Sequence, residues 1–279
     1  MNLQLRWLVE VRRLGLVLGL VLAPCVASGA PHAQPHPPAP ACGQLVPFLV
    51  LPSDFARAEI IYGQAGDRPL LYLDGLRIVA GGAPNAYHPL DWPGLDALAN
   101  ARGEDGWAGL ATNRFGRPFV QTAMDPAPGF YVSTTALTDR EIADLASPAR
   151  YVDATRVPYI ALPGGKRAKA AYAGAGIQLG DLALVYNIRL QTIAPAVFAD
   201  FAPSSRLGEG SIELAERLGY ADTSPRHGGT AAPENLTLVF PGSGAGFPHD
   251  LKHLEKTAAL LLDDWGGKAR LEACAGVLR

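Results

Sequence analysis

The chain has almost no excess charge of either sign: 24 Lys and Arg stand against 26 Asp and Glu, for a net charge of −2. A nucleic-acid-binding chain needs a basic face to neutralise phosphates, so that class is set aside. Cysteine is scarce, with only 3 residues, and none sits at metal-ligand spacing. Long apolar runs are missing too. Residues 14–26 form an apolar run that falls short of the roughly 20 residues a membrane-spanning helix needs, and no other stretch is long and apolar enough. No internal repeat is present, which leaves repeat architectures aside.

Several chemical signatures are incomplete. His249 and His253 stand four apart, but the Glu that a zinc-protease motif places next to its first His is absent. A solvated helix face is expected there, and no metal. Residues 241–246 read Pro-Gly-Ser-Gly-Ala-Gly. They lack the Gly-Lys-Ser/Thr ending of a phosphate loop, and Pro241 takes the first Gly position of a G-x-S-x-G elbow. A tight loop after a strand is expected, with Ser243 able to approach a cleft. No cofactor is expected.

What the chain does have is glycine and proline, 31 and 24 residues. They predict many turns and a β-rich fold rather than a helical bundle. The N-terminus reads as an export signal over residues 1–30: Arg6, Arg12 and Arg13, then the apolar run, then Ala27, Ser28, Gly29 and Ala30. Its removal would take away three Arg and one Glu and leave a mildly acidic chain, which suits a cationic polymer. Residues 31–41 are a Pro-rich spacer, and residues 42–279 form one domain. Export leaves Cys42 and Cys274, an even pair that in an oxidising compartment predicts a disulfide. The location expected is secreted or periplasmic.

Strands are predicted over residues 44–51, 70–80, 129–135, 157–162, 176–190, 193–200 and 236–240. The fifth and sixth should pair as a hairpin. Helices are predicted over residues 138–145, from the capping-box pattern Thr138-x-x-Glu141, and over 211–218, with Ser211 as cap and Gly219 as stop. An amphipathic helix is predicted over 249–265. The fold class is therefore α+β, β-dominated, in a single domain with a few peripheral helices.

The most informative stretch is residues 194–220, APAVFADFAPSSRLGEGSIELAERLGY. A strand ends on Asp200, a loop follows, and Glu209 sits between two glycines before a helix. Rigid placement and close backbone approach suit catalytic carboxylates. Glycoside hydrolysis uses such a pair, one acid to protonate the leaving oxygen and one carboxylate to act from the other face. By residue type alone, Asp200 also fits a turn former, and Glu209 a partner for a helix dipole.

The string F-A-D-x-A-P…L-G-E-G-S-I-E-L-A resembles the segment carrying the two catalytic acids in glycoside hydrolase family 75 chitosanases. The resemblance continues through Asp74-Gly75, residues 85–89 (Asn-Ala-Tyr-His-Pro), 129–135, 157–163, Gly180-Asp181, 185–187 and 240–244, covering roughly residues 70–267. Ala199 stands where Gly often precedes the family's Asp. The resemblance implies a mixed or antiparallel barrel-like core and an inverting, endo-acting hydrolase of β-1,4 linkages in chitosan, with Asp200 and Glu209 catalytic. Glu209 is expected as acid and Asp200 as base. Carboxylates should line the cleft to meet protonated amines, with Asp74, Asp153 and Asp181 as candidates. Tyr87, Trp92 and Trp107 are candidates to stack on sugar rings. The partner expected is a polysaccharide, and the chain a monomer. The rival readings are a hydrolase of another amino-sugar polymer, such as peptidoglycan glycan strands, and a secreted carbohydrate-binding protein without turnover.

Overall fold

The architecture is β-dominated α+β, built on a ring of six strands that closes on itself. The computed structural model describes residues 41–51, 59–103, 106–203 and 206–279. The expected leader and nearly all of the spacer lie outside the described residues. The strands are β1 (Leu45–Leu51), β2 (Glu59–Gln64), β3 (Asp67–Val79), β4 (Arg102–Gly103), β5 (Gly106–Trp107), β6 (Tyr159–Pro163), β7 (Leu182–Asn187), β8 (Thr192–Ala202), β9 (Glu209–Ser211) and β10 (Thr230–Val239). The helices are α1 (Lys166–Gly174), α2 (Ile212–Leu218), α3 (Leu251–Trp265) and α4 (Gly267–Leu278).

The ring runs β3-β10-β7-β8-β6-β9 and returns to β3. The β6–β8 and β3–β9 pairs are parallel, and the other four contacts are antiparallel. The long strand β3 makes closure possible. Its first half pairs with β2, and its last three residues pair with β9. β1 then extends the sheet outward from β2. Tyr72, Ile160, Phe198, Leu71, Leu236 and Leu238 are fully buried in the core, where each large side chain contributes roughly 1.5–3 kcal/mol.

Local code explains several elements. The Ser211 hydroxyl accepts from the Leu214 N–H at 3.1 Å and caps α2. Gly219 ends that helix at φ 86°, a left-handed conformation that favours glycine. Asp250 caps α3 by accepting from the N–H groups of Lys252 and His253. The β7–β8 hairpin forms as predicted, with Asn187 opposite Thr192. Cys42 and Cys274 are bonded, joining the segment before β1 to α4 across 232 residues. Among the described residues, no helix is long and apolar enough to cross a membrane.

Other expectations are corrected. Residues 129–135 form no strand; they make isolated bridges, Tyr131 to Val120 and Ser133 to Leu110, inside a long irregular segment. The alternating pattern there serves single contacts rather than a ladder. Residues 138–145 form no helix. Thr138 bridges Tyr151, and the Arg150 guanidinium donates to the carbonyls of Asp139 and Ile142. The carbonyls are thereby satisfied without a helix. Residues 176–181 are a turn before β7, with Gly176 and Gly180 at positive φ. β8 runs on to Ala202, so Asp200 lies within the strand rather than at its end. β2, α1 and α4 were not predicted.

Candidate active site

Strand register brings Asp200 and Glu209 together. β6 lies between β8 and β9. Ala161 of β6 is paired with Asp200 on one edge and with Glu209 on the other. Residues directly opposite in a sheet share a face, so both carboxyl side chains and Ala161 point the same way. Two strand spacings put the two backbones about 10 Å apart.

A bulge creates this alignment. Phe198 pairs with Ile160, but the next pair is Asp200 with Ala161, so Ala199 is skipped. In an unbroken ladder Ala199 would take the place of Asp200. The bulged residue is not left unpaired, because its carbonyl accepts from the Leu137 N–H at 2.8 Å. Re-aiming one side chain in this way is a common use of a bulge near a site. On β9, a Cβ added to Gly210 would lie 2.7 Å from Leu214 Cδ2 and 3.1 Å from Leu76 Cδ1. Gly210 therefore faces the apolar core, and alternation turns Glu209 the other way, beside its register partner Arg77. Gly208, at φ 73°, precedes Glu209, and a Cβ there would meet the Gly75 carbonyl at 2.7 Å. Only glycine lets the chain turn into β9 so close to β3.

The two carboxyls sit in different surroundings. Asp200 Oδ1 accepts from the N–H groups of Phe201 at 2.8 Å and Ala136 at 3.0 Å. Burial nevertheless pushes the Asp200 carboxyl up to about 7, with the Glu209 charge adding and the two N–H groups and Lys169 opposing. Burial also raises the Glu209 carboxyl, against the nearby charges of Arg77 and Arg206, which favour its ionised form. Among the described residues no hydrogen bond contributes at Glu209. Asp200 Oδ2 faces Gly81, where a Cβ would lie 3.5 Å from that oxygen and 3.0 Å from the Tyr159 hydroxyl. Tyr159 is fully buried and donates to the Gly81 carbonyl at 3.0 Å.

Tyr87 joins this group. Its hydroxyl donates to Asp96 Oδ2 at 3.2 Å. Burial raises the Tyr87 phenol, and the charges of Asp96, Asp200 and Glu209 add to the effect. Asp96 is itself buried and raised by that burial, although the Asn100 amide and the Ala97 N–H both donate to its Oδ1. Asp153 lies at the margin: Thr155 donates to its Oδ1 through both N–H and hydroxyl, and its charge reaches Tyr159. Asp74 lies beside the approach to Glu209, its Cβ 3.4 Å from where a Cβ on Gly208 would stand.

Asp181 is placed elsewhere, which removes it from the expected cleft-lining set. It has no exposed surface, and its carboxylate accepts from the N–H groups of Gln178, Gly242 and Gly244. It anchors the 241–246 loop. Ser243 is consumed in the same way, accepting from the Leu182 N–H and donating to the Phe240 carbonyl. Trp107 packs under Arg102 and against Tyr131. A cavity of about 200 Å³ lies at α3, lined by Leu182, Val197, His249 and His253 among others, and takes in none of the carboxyl group just described. Among the described residues, no group of three or more His, Cys, Asp or Glu is placed to hold a metal ion.

Asp96, Tyr159, Arg77, Arg206 and Gly81 were not singled out from the sequence. Tyr159 and Arg206 lie within stretches that did draw notice, residues 157–163 and 194–220. Asp96 and Gly81 carry no local signal, because their roles arise only when distant loops meet. No protein-family model matches the chain, and no curated protein matches it.

Proposed function

We propose that this chain is an exported glycoside hydrolase that cuts an amino-sugar polymer of the chitosan type with inversion. The observation that carries the reading is the shared register of Asp200 and Glu209 on Ala161. A backbone separation of about 10 Å, with both side chains on one face, is wide enough to admit the water molecule that an inverting pair activates. The resemblance to family 75 chitosanases points the same way. Export is supported by the leader-like N-terminus and by the disulfide.

The electrostatics favour an exchange of the roles expected from sequence. The larger upward shift is at Asp200, which suits a general acid, whereas two arginine charges hold Glu209 closer to its ionised form. In this reading Asp200 passes its proton to the glycosidic oxygen as the bond to the anomeric carbon breaks. Glu209 takes a proton from water, and the resulting hydroxide oxygen bonds to the anomeric carbon from the opposite face. The product is an inverted hemiacetal plus the freed hydroxyl of the leaving sugar. Tyr87 and Tyr159 hold the surrounding backbone and carboxyls in place.

A second reading is favoured by one observation. Arg77 and Arg206 are exposed next to Glu209, and a guanidinium suits a carboxylate on the sugar better than an ammonium. That would select an acidic amino-sugar polymer such as a peptidoglycan glycan strand. Reducing-end release from chitosan, chitin and peptidoglycan, followed by proton NMR of the first product anomer, tests both. The α-anomer from chitosan supports the first reading; release from peptidoglycan alone supports the second. A β-anomer as first product would refute inversion.

A further inference from the structure

We infer that Trp92 is a docking platform for a sugar ring of the polymer, outside the carboxyl pair; this rests on the glycoside hydrolase reading. Trp92 is 77% exposed, and its neighbour Leu90 is 65% exposed. An exposed indole offers a flat apolar face with a polar N–H at its edge, a shape that a sugar ring can cover. A floppy loop could fold the ring away. The backbone of this loop is held from several sides.

Asp91 sits at φ 63°, a left-handed conformation costly for a residue with a side chain. The Leu98 N–H donates to Asp91 Oδ1 at 2.6 Å and fixes that conformation. The guanidinium of Arg226, from a distant loop, donates to the carbonyls of Asp91, Gly94 and Asp96. Gly94 is packed so tightly that a Cβ would lie 2.8 Å from the Ala86 carbonyl. The strained backbone is thus over-determined, and it holds the Trp92 backbone at one place on the surface.

The same loop says what the indole meets. Four residues after Trp92, Asp96 receives the Tyr87 hydroxyl, and Tyr87 lies within the field of Asp200 and Glu209. The Tyr87–Asp96 hydrogen bond ties the loop that carries Trp92 to the neighbourhood of the carboxyl pair. A polymer threaded past the carboxyl pair would continue over this loop. An exposed aromatic face on a held backbone has only its two side-chain torsions to fix on stacking against a pyranose ring.

The test uses the purified Asp200→Asn protein, so that the polymer is not consumed, alone and combined with Trp92→Ala or Trp92→Phe. Retention on chitosan, chitin and peptidoglycan particles is measured by sedimentation, alongside gel filtration. The expected result is that Asp200→Asn is retained on one of these polymers, that Trp92→Ala weakens retention at least about tenfold, and that Trp92→Phe restores most of it. Equal retention of the Trp92→Ala protein overturns the platform and leaves the hydrolase reading standing. Retention of the Asp200→Asn protein on none of the three overturns both. Loss of retention that Phe fails to restore, or that accompanies a change in oligomeric state, also overturns the platform.

Discussion

Asp200 and Glu209 reach the same residue, Ala161, from opposite edges of strand β6. The relationship depends on a single skipped residue, Ala199. Nine positions of sequence separate the two acids, but their spacing in the fold is set by strand count and register. About 10 Å between their backbones is a property of the sheet, not of the loop that joins them.

The pH profile follows from the two environments. As the acid, Asp200 must hold its proton, so turnover falls as pH rises through about 7. As the base, Glu209 must be ionised, so turnover also falls on the acid side, below its raised value. Stability carries the same sign. The Asp200 pKa is higher folded than unfolded, so its contribution is full below the unfolded value of 3.8 and is lost as pH rises through about 7. Asp200→Asn removes that loss. Denaturant unfolding should show the variant gaining on wild type between about pH 4 and about pH 8, by an amount on the order of 4 kcal/mol.

Gly81→Ala places a methyl group between the Tyr159 hydroxyl and Asp200 Oδ2, at 3.0 and 3.5 Å. The fold should absorb it at a cost below about 2 kcal/mol. Turnover should fall about 10- to 100-fold, because the free oxygen of Asp200 is displaced from its working position. Kinetics and thermal melts on the same preparation check the split between the two effects.

Asp181→Ala should behave in the opposite way. Three backbone N–H groups lose their acceptor in a fully buried setting. Stability should drop by about 2–4 kcal/mol, measured by urea unfolding, with KM for polymer unchanged where the protein stays folded. A raised KM with intact stability would restore Asp181 to the cleft.

Reducing the Cys42–Cys274 bond frees a closed loop of 232 residues. Loss of about 2–5 kcal/mol is expected, visible as a lower melting temperature in reductant or in the Cys42→Ser/Cys274→Ser protein.

What could be read from the sequence was mainly local. Ser211 and Gly219 bound a helix whose capping is made within one turn, so that helix stood where predicted. The β7–β8 hairpin is likewise a short-range object. α1 was missed because residues 164–176 are rich in Gly and Ala and carry little apolar periodicity, and α4 because Gly266 and Gly267 read as an end rather than a corner between helices. Asp200 and Glu209 drew notice through their surroundings in sequence, yet the bulge that aligns them is a property of pairing with β6, a strand far away in sequence. Asp96 escaped for the same reason: its meaning lies in the hydroxyl of Tyr87 and the guanidinium of Arg226, which the fold alone brings near.

The most direct test is release of reducing ends from soluble chitosan by the wild-type, Asp200→Asn and Glu209→Gln proteins, each matched for circular dichroism and melting behaviour. The account predicts turnover by the wild type and a fall of at least about 100-fold in each variant. A folded variant that cleaves as fast as the wild type would contradict the assignment of Asp200 and Glu209 as the acid–base pair.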